Sequence, residues 1–199
     1  MGKQLIISLG REFGSGGREI ALDLAERFEL PLYDSNILEH IAQEKDIDNA
    51  ELKKYDEKPK SRFFSRTVRG YTNSMHENIA NMQFDFLRKK AEAGESFVIV
   101  GRCAETKLKD FDGLVSIFIL GDKPVKLERI KKLYSLSEDE AKYMIERTDW
   151  QRKSYHNYYC KGKWGDSRNY DFSINSSKLG TKKTADMLEI YIKERMRLQ

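Results

Sequence analysis

Long apolar runs, an extended secretion signal and zinc-type cysteine spacings are all missing from this 199-residue sequence, and each absence narrows its class. No stretch approaches the roughly 18 consecutive apolar residues of a membrane-spanning helix. The N-terminus, MGKQLIISLG, has no extended signal core, and its short apolar run reads as a buried first strand. Only two cysteines occur, Cys103 and Cys160, with no CxxC and no spacing that suggests zinc. Reduced thiols and a cytoplasmic location are the expectation. An excess of one charge is also lacking. Lys and Arg number 36 against 32 Asp and Glu, and a net +4 does not mark a nucleic-acid binder.

What is present is an ordinary globular composition, 39% hydrophobic and 34% charged, at a length that suits one α/β domain with an insertion. Apolar runs at residues 5–9, 97–100, 115–120 and 172–174 read as buried parallel strands, with a shorter one at 32–33. Helical patterns cover 18–28, 35–44, 71–93, 123–134, 137–159 and 181–197. Gly94 is a C-cap, and Ser137 with Glu140 makes a capping box. Strands alternating with helices predict a doubly wound α/β sheet covered on both faces. Residues 46–69, highly charged and weakly periodic around Pro59, Lys60 and Arg62, read as a surface excursion or lid.

The stretch GREFGSGGRE follows the first strand and opens a helix. Gly14, Gly16 and Gly17 let backbone N–H groups surround an anion, and the helix beginning near Arg18 adds the positive end of its dipole. Against the phosphate-loop consensus GxxxxGK[ST], Arg11 falls at the first glycine, Gly16 at the second, Gly17 at the lysine and Arg18 at the hydroxyl position. Arg18 supplies charge in place of the lysine but cannot ligate a metal. Ser15 and Glu19 complete the phosphate-binding stretch, and Arg11 and Glu12 are further candidates to face the phosphates.

Ligands of a doubly wound sheet bind outside the carboxyl ends of its strands. Asp34, just past the second strand, is a candidate to hold Mg²⁺ through water or to touch an acceptor; Asp34 or Ser35 is equally an N-cap. Arg102 ends the run FVIVGR at the same rim and suits bidentate phosphate recognition. Cys103 reads as a small packed residue. Arg147 and Arg152 lie in a basic, aromatic segment from which a mobile cover could bring them onto a transferring phosphoryl group. Tyr155, Tyr158, Tyr159 and Trp164 read as core packing or base-stacking groups. His156 reads as a structural polar group, with nothing nearby to pair with it as a catalytic base.

The blocks ISLGREFGSGGREIALDLAE, LPLYD, FVIVGRCA, WQRKSYHNYY and KWGDSRNYDFSINSSKLG together resemble the cytidylate kinase-like family, related to the nucleoside monophosphate kinases, across about residues 5–192. The resemblance implies a three-layer P-loop fold with a central five-stranded parallel sheet. It also implies an acceptor-binding insertion and following helix at about 46–93 and a lid at about 137–168. The glycine loop then takes the ATP phosphates, Gly101-Arg102 matches a block whose arginine contacts the acceptor phosphate, and residues 175–177 lie near the donor base. ATP and Mg²⁺ are the implied cofactors, with nucleotides as partners, no membrane, no nucleic acid, and a homodimer as an option. Two functions follow: phosphoryl transfer from ATP to a nucleoside monophosphate such as (d)CMP, with Arg18, Arg147 and Arg152 catalytic, or nucleotide binding without turnover. RNA association through residues 147–168 is a third and weaker reading.

Overall fold

A strand whose residues are apolar or small sits where both of its faces are covered, and the first strand is of that kind up to its last residue, an arginine. The computed structural model describes residues 3–45, 67–68, 71–72 and 75–198. Its elements are β1 (Ile6–Arg11), α1 (Gly17–Arg27), β2 (Leu32–Tyr33), α2 (Ile37–Lys45), β3 (Thr67–Val68), β4 (Tyr71–Thr72) and α3 (Met75–Glu92). There follow β5 (Phe97–Val100), α4 (Ala104–Lys107), β6 (Leu114–Leu120), α5 (Lys123–Tyr134), α6 (Glu138–Tyr159), β7 (Phe172–Asn175) and α7 (Gly180–Arg197). Five strands form one all-parallel sheet in the order β2-β5-β1-β6-β7. This is the α/β architecture expected from the alternation of strands and helices.

The pleat divides the core in two. Ile6, Phe97, Ile99 and Leu114 pack with Ile37, Leu38 and Ile41 of α2 and Ile79 and Leu87 of α3. On the other face Ile7, Leu9, Val98, Val115 and Ile117 pack with Ile20 and Leu24 of α1 and Leu188 and Ile192 of α7. Side chains alternate across a strand, so neighbours in the sequence feed opposite cores. Ser137 caps α6 through the reciprocal box with Glu140, as the sequence predicts.

Besides the short α4, which was not expected, and shifts of one or two residues at other ends, the main differences from expectation are in β1 and before α3. β1 runs on to Arg11, because Gly10 and Arg11 continue the ladder opposite Phe118 and Ile119. The helix expected over 71–93 begins only at Met75, and Tyr71–Thr72 pairs antiparallel with Thr67–Val68. β-Branched and aromatic residues fit a pleated ladder better than a first helical turn. Of the predicted excursion at 46–69, only Thr67–Val68 lies within the described residues.

Candidate functional site

The rim of the sheet is where β1 ends and α1 begins. Gly14 and Gly16 adopt left-handed backbone conformations, with φ of 83° and 77°, and Gly16 caps α1 with no side-chain hydrogen bond to that end. The first N–H groups of a helix have no intrahelical acceptor, so those of Gly17, Arg18 and Glu19 are set to receive an anion. The concavity over them is lined by the loop together with Arg11, Arg129, Tyr134 and Arg152.

Gly17 stands at the lysine position of the consensus, and the structure gives a steric reason for its being glycine. A Cβ there would lie 2.6 Å from the Cβ of Arg11. Arg11 fills the space that the lysine's stem would need, and it lines both the loop concavity and a second cleft beside it. Its guanidinium reaches across to Gly101. The cation beside Gly17 therefore comes from the end of β1, and Arg18 at the start of α1 lines the same concavity.

The other sequence-predicted residues divide by position. Arg18, whose side chain is 66% exposed, lines the loop concavity and donates from Nε to Asp34 at 2.7 Å. Burial alone would raise the Asp34 carboxyl, but hydrogen bonds from Arg18 and Asn36 outweigh it and hold it below the ordinary range. Glu19 accepts from Arg129 at 2.6 Å and from Thr181 at 2.8 Å. Ser15 is buried, its hydroxyl donating to the Glu12 carbonyl and its own carbonyl accepting from Ser176. Ser176 and its neighbours Asn175 and Ser177 thus brace the loop and Asp122.

Arg102 follows β5 into the second cleft, only 3% exposed and donating to Gln83 at 3.3 Å. Gly101, Arg102 and Cys103 are consecutive left-handed residues with φ of 79°, 59° and 55°. For the two non-glycines that conformation costs roughly 1–2 kcal/mol each, strain of the kind that accumulates at working sites. Arg152 of α6 shares the cleft and donates to the carbonyl of Arg11 at 3.3 Å. Arg147 is exposed and lines neither concavity. Five residues of helix turn through roughly 140°, so Arg147 and Arg152 face different ways. Trp164 packs edge-on against Phe118, and Tyr155 and Tyr159 join a small cluster with Phe84 and the two cysteines, in line with core packing.

Two groups escaped the sequence reading. Lys126 of α5, 7% exposed, donates to Glu12 at 3.0 Å and to Asp149 of α6 at 3.1 Å, while Asp149 also accepts from the Phe13 backbone at 2.6 Å. This pin fastens α6 to the glycine loop. Its one signal in the sequence is a lysine four residues before Ile130, on the buried stripe of α5. The other group bears out His156 as a buried polar residue but gives it a partner that the sequence reading did not find. The His156 imidazole lies 2.8 Å from the Glu105 carboxylate and also contacts the Cys160 sulfur. Burial pulls its pKa down, yet these partners outweigh that and raise it to about 10. Cys160 is lowered to about 5 by its hydrogen bond with Cys103, against burial and with help from His156.

The sequence profile described as the cytidylate kinase-like family matches residues 6–178. A crystal structure of an uncharacterized protein from Eubacterium ventriosum ATCC 27560 is 41% identical, covering 96% of this chain and 99% of its own, with a TM-score of 0.77. Shikimate kinase from Bacteroides thetaiotaomicron is 13% identical over 95% of this chain and 98% of its own, with a TM-score of 0.54. That from Aquifex aeolicus is 15% identical over 96% and 97%, with a TM-score of 0.50. At these identities the two kinases share the fold alone. No curated protein sequence matches the chain. No helix among the described residues is long and apolar enough to cross a membrane.

Proposed function

The chain belongs to the cytidylate kinase-like family, and from that premise we propose that it transfers the γ-phosphoryl group of ATP to a nucleoside monophosphate such as (d)CMP. The observation that carries the proposal is the exchange of Arg11 and Gly17. A cation stands beside the amide-lined loop and borders the second cleft as well, so one guanidinium can face both donor and acceptor phosphates. The loop N–H groups would grip the donor phosphates, with Arg18 beside them. Arg102 would orient the acceptor phosphate, held in place by Gln83 and its left-handed turn.

An acceptor phosphate is already anionic at neutral pH, so no general base is required. Positioning, charge neutralisation and water exclusion suffice. Arg152 is at the cleft already, while Arg147 could contribute only after closure of α6. Mg²⁺, when bound, would neutralise charge on the donor phosphates. The Asp34 carboxylate already receives Arg18, Ser35 and Asn36, so it suits contact with the ion through water rather than direct ligation.

A second reading, nucleotide binding without turnover, is favoured by the loss of both the consensus lysine and the consensus hydroxyl, since Gly17 and Arg18 stand at those positions. Both are tested by ADP release over a panel of nucleoside monophosphates. Acceptor-dependent ADP production supports transfer. Tight ATP binding with none leaves only the second reading.

A further inference from the structure

The group around His156 borders the acceptor cleft but takes no part in the phosphate chemistry proposed above. Glu105 lies in α4, one turn past the strained Arg102–Cys103 pair, while His156 and Cys160 end α6 four residues apart. That spacing puts both on one helical face. A carboxylate oxygen, an imidazole nitrogen and a sulfur all lie within 4.8 Å of one another, and all three residues are buried. The ring is aimed inward: Nε2 faces Glu105 at 2.8 Å, and Nδ1 faces the Asn157 side-chain oxygen at 3.4 Å. An outer hydrogen bond on the second ring nitrogen is what holds ligating histidines in place.

We propose that Glu105, His156 and Cys160 form a binding site for a divalent metal ion of the zinc class, unrelated to Mg²⁺ at the phosphates. One sulfur, one nitrogen and one oxygen suit a borderline ion, and three protein ligands leave a fourth position for water. The charges match as well. A thiolate, a carboxylate and a neutral imidazole balance a divalent cation, which would take the place of the proton shared between Glu105 and His156. Cys103, whose side chain hydrogen-bonds the Cys160 sulfur, is a further donor beside the site. Cys103, Glu105 and His156 also line the second cleft, which supplies an entry path. A bound ion would tie the far end of α6 to the turn that carries Arg102.

The test is Co²⁺ titration of the purified, chelator-treated full-length chain, followed by Zn²⁺ competition. The expected result is one equivalent of Co²⁺ with tetrahedral and thiolate-to-metal charge-transfer absorption, displaced by Zn²⁺. Cys160→Ser should abolish the charge-transfer band, and His156→Ala should weaken binding by at least about 100-fold. Cys103→Ser should keep both the band and the stoichiometry, which guards against reading a folding defect as ligand loss. Absence of a thiolate band in folded wild-type protein, with no Zn²⁺ retained, would overturn the proposal and leave the three residues as a metal-free ion-paired cluster.

Discussion

Gly17 has no room for a side chain because Arg11 occupies the space beside it, and this reciprocal arrangement makes a specific prediction. Gly17→Lys alone, although it restores the consensus lysine, should abolish ATP binding by driving the new stem into Arg11. Arg11→Gly combined with Gly17→Lys should recover binding, and calorimetric titration of both variants with ATP checks this. Arg18 supplies charge at the helix start, but its side chain is largely solvent-exposed and already paired with Asp34. The sequence register puts Gly17 at the lysine position and assigns the replacement charge to the next residue. It could not show that the last residue of a strand fills the gap, because that depends on β1 extending two residues further opposite β6. The Glu105–His156 contact was illegible for a similar reason, since a contact across 51 residues leaves no local pattern, whereas His156 and Cys160 stand four residues apart.

Among the elements, α6 does the most to connect the parts of the site. Asp149 and Lys126 hold it on the glycine loop, Arg152 brings it to the acceptor cleft, and its last turn carries His156. Lys126 is a buried cation shared by two carboxylates, so Lys126→Met should leave Glu12 and Asp149 without their counter-charge and cost about 3 kcal/mol, read from denaturant unfolding. The same variant should loosen the loop and weaken ATP binding, a second effect that nucleotide titration separates from stability. The helices themselves were legible where apolar periodicity and caps agreed, as at Ser137. Before α3, where Tyr71–Thr72 pairs as a strand, the helical pattern reads four residues too far toward the N-terminus.

At the scale of the whole molecule, the sheet is a two-sided wall that brings the ends of β1, β2 and β5 to one rim, where the glycine loop, Asp34 and Arg102 stand. Phe97, fully buried at the opposite end of β5, packs with residues of α2 and α3 against the sheet. Phe97→Ala should cost about 3–5 kcal/mol in urea unfolding, against a total stability of about 5–15 kcal/mol. Parallel strands connected by helices were readable because buried strands are continuous apolar runs. The acceptor was not readable in the same way, since the insertion expected at 46–69 lies almost wholly outside the described residues. The central claim is that Arg11 does the work of the missing lysine in phosphoryl transfer, and acceptor-dependent ADP production by wild type and Arg11→Ala tests it most directly. Wild type should turn over at least one nucleoside monophosphate, with kcat/KM falling by about 10²-fold or more in the variant. Equal rates in the two proteins, or no acceptor-dependent ADP from wild type, would contradict it.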